Sequence, residues 1–269
     1  MFYNAKNGTV TVGGIPMDYV VFGKGQSPLV ILPGLSDGLK TVRGQAVTLA
    51  MYYKQFAKLF TVYIFSRKNV IVDGYSTKDM AKDQKLALDN LGIDNFYLMG
   101  ISQGGMIAQH IAINHPSAVK KLVIGVSASR PNHTIRGVLP KWISFAENND
   151  YKSLMIDTSE NSYSQKTLKK YRLMYPLLTR LGRPSNFSRF LIQANACLSH
   201  DTYNALGQIK CPTLIIGGSD DKIVGIHASK EMAERINESK LIVYEGLGHA
   251  AYEEGKDFNQ QVINFFSKP

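Results

Sequence analysis

The sequence predicts an α/β fold: a mostly parallel sheet flanked by helices, with a helical cap inserted after the sixth strand. Three observations predict it. Short, wholly apolar runs such as Leu29–Leu32, Phe96–Met99 and Leu122–Val126 read as buried parallel strands. Amphipathic stretches alternate with them, the rhythm of a parallel sheet covered on both faces. That rhythm stops after Ser129 and resumes near Cys211, leaving a strand-free helical stretch between. The chain of 269 residues accommodates one large domain with such an insertion. The expected division is 1–130 and 206–269 for the core and 131–205 for the cap.

The elements follow in order. Residues 9–12 and 17–22 flank Gly13-Gly14-Ile15-Pro16 and read as an antiparallel hairpin. Gly23–Pro28 is a turn that precedes a strand, so it does not suit nucleotide binding. The strand Leu29–Leu32 ends in the glycine-rich loop Pro33–Gly38, at the edge where open α/β sheets place their chemistry. A helix is expected over 45–59, with Val47, Met51, Phe56 and Leu59 as its apolar points, and a strand over 62–65. Thr77 is the expected cap of a helix over 78–91, which Gly92 ends. After the strand Phe96–Met99 a helix runs to about Asn114, stopped by Pro116. Within the insertion, helices are expected over 139–146, 168–181 and 187–198. Trp142, Phe145, Tyr171, Met174, Tyr175, Phe187 and Phe190 are expected to pack it onto the sheet. Then come the strand near 211–218, a helix over 226–236, the last strand 240–244 and a terminal helix over 258–266.

Composition excludes some functions. Apolar content is 44% and charged content 19%, ordinary for a globule, and net charge is +10. That balance would favour an anionic substrate or surface. The lysines, including Lys40, Lys54, Lys58, Lys120, Lys121, Lys169 and Lys170, are scattered. No basic helix or aromatic-basic ladder emerges, so no nucleic acid partner is expected. No stretch reaches the roughly 18 apolar residues of a membrane span. Cys197 and Cys211 form no ligand pattern and suggest a reduced compartment. The N-terminus shows no apolar signal core, so cytoplasmic residence is expected. No metal or cofactor is expected, and the oligomeric state is not legible.

The chemistry centres on Gly100-Ile101-Ser102-Gln103-Gly104, between an apolar strand and an amphipathic helix. That context makes Gly-x-Ser-x-Gly a nucleophile elbow, a sharp turn that aims the hydroxyl away from the sheet. Serine is a poor nucleophile at neutral pH and needs a base, and the base needs an acid to hold its tautomer. A later strand ends in Ser219-Asp220-Asp221, and the last strand ends in Gly248-His249. The order serine, aspartate, histidine is the one expected of this triad on a parallel sheet. His110, His115, His133, His200 and His227 lack that placement. Asp220 and Asp221 compete for the acid. The backbone N–H groups of Gln103 and Leu35 are candidate donors to a developing oxyanion. Asp37 and Lys68 are expected to be solvated loop charges, and the Gln103 side chain is a candidate substrate contact.

These pieces resemble the α/β-hydrolase family over nearly the whole chain. The elbow Gly100-Ile101-Ser102-Gln103-Gly104-Gly105 and the terminal Gly248-His249 carry the resemblance, with a looser match at Pro212–Asp221. Counting from Gly218 in that match selects Asp221 as the acid. The family's His-Gly-x loop is Pro33-Gly34-Leu35 here, which removes a bracing side chain and leaves the backbone donor. The resemblance implies acyl transfer from a small-molecule acyl substrate to water, with a carboxylic ester as the leading class. Carbon–carbon bond, thioester, lactone, amide and peroxyacid chemistry use the same triad. Serine at 102 disfavours dehalogenation and epoxide opening, and no acidic cluster suits a peptide amine. The rival class is a non-catalytic ligand-binding or interaction protein, which Pro33 keeps open.

Overall fold

A computed structural model describes residues 2–268. Its strands are β1 (Lys6–Val12), β2 (Ile15–Gly23), β3 (Ser27–Leu32), β4 (Phe60–Lys68), β5 (Phe96–Ile101), β6 (Val119–Gly125), β7 (Thr213–Gly218) and β8 (Ser239–Tyr244). They form one sheet in the order β1-β2-β4-β3-β5-β6-β7-β8. β1–β2 and β2–β4 pair antiparallel, and every other pair is parallel. The expected hairpin and buried strands are therefore present.

The helices are α1 (Ala46–Tyr52), α2 (Thr77–Asn90), α3 (Gln103–Asn114), α4 (His133–Glu147), α5 (Tyr151–Ser162), α6 (Gln165–Leu178), α7 (Ser188–Leu198), α8 (Ile226–Arg235), α9 (Ala251–Glu254) and α10 (Phe258–Ser267). Apolar side chains from both faces of the sheet make two core clusters. One holds Leu98, Ile107 and Ile111. The other holds Met99, Val123 and Phe266. A third, Trp142, Phe187 and Phe190 among its members, joins α4 and α7 to the top of the sheet. Four helices, α4 to α7, lie between β6 and β7 as the cap.

Several local expectations are corrected. The helix over 45–59 stops at Tyr52, and Phe56–Lys58 is a separate 3-10 turn. Ala46 and Ala50 face the core, while Val47, Met51 and Leu59 are exposed. Small side chains let α1 lie close to the sheet, so its apolar points mislead. The cap of α2 is Ser76, not Thr77. Its hydroxyl accepts from the N–H of Asp79, and the Asp79 carboxylate accepts from the N–H of Ser76, a reciprocal capping box. Thr77 occupies the first helical position, with its hydroxyl turned into the interior.

In the cap, α5 was not expected, since polar residues blur its periodicity. Met174 is exposed rather than packed against the sheet. The absence of a basic helix is also overturned: α6 carries Lys166, Lys169, Lys170 and Arg172, and no acidic residue.

Candidate active site

Parallel strands deliver their following loops to one edge. The loops after β3, β5, β7 and β8 carry Leu35, Ser102, Asp221 and His249, so residues far apart in sequence converge there.

Ser102 joins β5 to α3 at φ 53° and ψ −119°, a left-handed conformation that strains any residue with a Cβ. Hydrogen bonds of its backbone, the N–H of Met106 to the Ser102 carbonyl among them, hold it. Its N–H donates to Gly125 O, and its carbonyl accepts from the Ser127 hydroxyl at 2.7 Å and from the N–H of Gly105. The turn also demands bare backbone. A Cβ on Gly104 would sit 1.9 Å from Leu32 O, so α3 could not start there with any other residue.

His249 Nε2 lies 2.9 Å from Ser102 Oγ, and His249 Nδ1 lies 2.8 Å from Asp221 Oδ2. An ionised carboxylate only accepts, so Nδ1 carries the ring proton and the Nε2 lone pair faces the serine. The other Asp221 oxygen accepts from the N–H groups of Ile223 and Val224 at 2.8 and 2.9 Å. Burial opposes ionisation of Asp221 and is the largest single influence on it. The His249 partner and the two N–H donors together outweigh burial and hold the carboxyl below its ordinary range. Asp220 is exposed and accepts from Ser219 Oγ, facing away from the imidazole. The cap also reaches the histidine loop, since Ala250 N–H donates to the carbonyl of Ser162 at the end of α5.

The N–H of Gln103 opens α3 and has no carbonyl within the helix to bond. Leu35 opens a 3-10 turn, Leu35–Gly38, and lines the same cavity as Ser102 and His249. That cavity is about 130 Å³. Leu139 and Trp142 of α4, Met106 of α3, and Val224 make its walls largely apolar, and no lysine or arginine lines it among the described residues.

Beneath the elbow lies a charged cluster that the sequence did not announce. Arg67, at the end of β4, is fully buried. One Nη2 donates to Pro33 O at 2.7 Å and to Gln103 Oε1 at 2.9 Å. Asp37, expected in solvent, is buried. Its Oδ2 accepts from Arg189 Nη2 at 2.6 Å and from Gln193 Nε2 at 3.1 Å, both on α7. Burial works against the Asp37 charge most, but Arg67 and Arg189 outweigh it and keep the carboxyl low. The Gln103 side chain is consumed here too. It donates to Gln193 O and Cys197 Sγ and does not line the cavity. Lys68, the other expected loop charge, pairs with Asp83 at 2.8 Å. Arg67 thus braces the Pro33 loop where the family's histidine is absent. Only the strand-end position of Ser66-Arg67-Lys68 could have hinted at it.

Residues 28–256 match the family model described as alpha/beta hydrolase fold. This chain is an α/β-hydrolase. The fold and the linked Ser102, His249 and Asp221 make it a serine-hydrolase-type enzyme. The hydrolase is 31% identical over 215 residues to a 2-hydroxy-6-oxononadienedioate/2-hydroxy-6-oxononatrienedioate hydrolase of Klebsiella pneumoniae, covering 76% of this chain and 74% of that protein. It is 28% identical over 210 residues to a 2-hydroxy-6-oxo-6-phenylhexa-2,4-dienoate hydrolase of Comamonas testosteroni, covering 75% and 73%. Among solved structures it resembles the α/β hydrolase MGS-M2 from a Medee basin deep-sea metagenome library. The TM-score is 0.84 at 21% identity, over 97% of this chain and 98% of that one, a likeness of fold.

Proposed function

We propose that this α/β-hydrolase cleaves a small, neutral carbonyl compound through an acyl-enzyme on Ser102. The observation that carries this is the continuous hydrogen-bonded chain from Asp221 through His249 to Ser102 at the wall of an apolar cavity. Ser102 Oγ attacks the carbonyl carbon while His249 Nε2 takes its proton. The oxyanion forms against the N–H groups of Leu35 and Gln103. The tetrahedral centre collapses, and the leaving group departs with the proton from His249. Water then attacks the acyl-enzyme, passing a proton to His249, and Ser102 recovers it as the carboxylic acid leaves. Residues 131–205 serve as the lid, with α4 and α5 over the cavity.

The relatives bear on which bond breaks. An oxo-dienedioate contains no ester, so its hydrolysis breaks a carbon–carbon bond. This moves carbon–carbon hydrolysis ahead of the simple carboxylester that the triad alone suggests. The cavity narrows the class further. The relatives' named substrates bear carboxylates, and here no cation lines the wall to meet one. Burying an unpaired carboxylate is costly, so the group bound within this cavity is uncharged. A cavity of about 130 Å³ is near the roughly 150 Å³ that holds a benzene-sized guest. The same neutrality favours a second class, a neutral ester or lactone.

The test is a panel of oxo-dienoate methyl esters, lactones and p-nitrophenyl esters, each offered beside the analogue that carries a free carboxylate. We expect turnover of neutral members, at least about tenfold above their carboxylate analogues. We also expect labelling of Ser102 by a serine-directed phosphonate. Failure of both turnover and labelling removes the enzymatic role. Preference for the carboxylate analogues removes the neutral substrate alone.

A further inference from the structure

The outer helix of the cap has a face that none of the described residues covers. Leu168 is its buried residue. Lys166, Lys170, Leu173 and Leu177 follow at spacings of four, three and four residues, which puts them on one helical face. All four are exposed, and Leu173 keeps 84% of its surface in solvent and Leu177 55%. Met174 and Leu181 extend the apolar half, at 47% and 58% exposed. Lys169, Arg180 and Arg183 flank it, and no acidic residue occurs from Gln165 to Arg183. Arg172 is paired with Glu160 of α5, while Lys166, Lys169, Lys170 and Arg180 enter no ion pair among the described residues.

We propose that α6 and the turn after it dock on an anionic lipid surface, with Leu173, Met174, Leu177 and Leu181 entering the headgroup layer beside the lysines. Exposed leucines beside cations are the pattern of a helix that lies in the plane of a membrane interface. Charge complementarity selects this occupant. A symmetric second copy would bring the same patch against itself, lysine against lysine, without an acid to offset it. An anionic leaflet supplies the missing countercharge across the whole face. The consequence for the site is geometric. The face lies on the cap, and α6 follows α5, whose Thr158 and Ser162 line the cavity. Docking would bring the roof of the site to a phase where apolar acyl compounds concentrate. It is independent of which bond the enzyme breaks.

Vesicle sedimentation of the full chain tests this, using phosphatidylcholine with and without about one-third phosphatidylserine. We expect binding to the anionic vesicles, released by roughly 0.5 M salt. Leu173→Asp with Leu177→Asp, and separately Lys169→Glu with Lys170→Glu, should each weaken binding at least about tenfold. Thermal melts of both variants should match the parent, because the altered side chains are exposed. Absence of vesicle binding, equal binding to both compositions, or binding indifferent to these substitutions would overturn the proposal. So would a dimer in sedimentation velocity that the leucine substitutions dissolve, which would assign the face to a second copy.

Discussion

Two helices of the cap use cations in opposite ways. The Arg189 side chain of α7 is 16% exposed and meets a fully buried Asp37 carboxylate. It also donates to the carbonyls of Arg67 and Lys68. At its far end, His200 Nδ1 lies 2.9 Å from the hydroxyl of Thr77 at the start of α2. α7 is therefore tied to the core near both ends, by Arg189 in its first turn and by His200 just beyond its last. α6 holds its lysines in solvent, where salt screens the field of each over about 8–10 Å at physiological ionic strength. The difference shows that burial, not the number of charges, decides whether a cap helix belongs to the site. Through Asp37 and Arg67 the α7 cluster connects to Pro33 and Gln103, which adjoin or carry the two proposed oxyanion donors.

The contrast can be broken at several points. The largest effect is expected at the site that α7 supports. Ser102→Ala should lower kcat by about 10⁴-fold or more, measured on whichever substrate the panel identifies. Removing the α7 anchor comes next. Arg189→Met leaves Asp37 buried without one of its cations, which should cost about 3–5 kcal/mol in urea unfolding. Arg189→Lys should not restore it, because one ammonium cannot reproduce the guanidinium's spread of donors. If Arg189→Met costs no more than a surface change, the contrast between the two helices fails.

Acid should release the other end of α7. Burial pushes His200 down to about 3 and His110, beside it, down to about 4, from the ordinary 6.5. As pH falls from 6.5 toward 4, the unfolded chain takes up protons that the folded one refuses, so stability declines across that window and is flat above it. Below it, the low carboxyls of Asp37 and Asp221 add a further loss as they protonate. Melting temperatures across the range check this, and His110→Asn with His200→Asn should flatten the slope between pH 6.5 and 4. The smallest effect belongs to α6. Leu173→Ala or Lys170→Ala should change stability by no more than about 0.5 kcal/mol in the same melts.

Much of this could be read along the chain. Buried parallel strands announce themselves by apolar runs, and the elbow by glycines around a serine at a strand's end. The insertion declared itself by the loss of alternation after Ser129. Element ends were less legible. Ser76 and Thr77 are both sound caps on paper, and only the reciprocal bond with Asp79 separates them. The alanine face of α1 defeated a search for large apolar points. α6 was legible as a helix but not in consequence, since Lys169 and Lys170 count as scattered lysines until the exposed leucines beside them are seen.

For the site, one-dimensional pattern was enough to nominate Ser102, His249 and an aspartate pair, because strand order and strand ends are local properties. Residue chemistry alone left Asp220 and Asp221 open, the family resemblance selected Asp221, and in the fold it is Asp221 that hydrogen-bonds the imidazole. Adjacent residues share chemistry, and the path of the loop is the physical reason that one of them turns inward to the imidazole. The cluster of Arg67, Asp37, Arg189 and Gln193 could not be assembled from the sequence, which offered only the strand-end position of Arg67. Its members come from β4, the loop after β3 and the cap, and each alone resembles an ordinary polar residue. What joins them is a shared low-dielectric interior, and that exists only after the sheet has closed and α7 has settled on it.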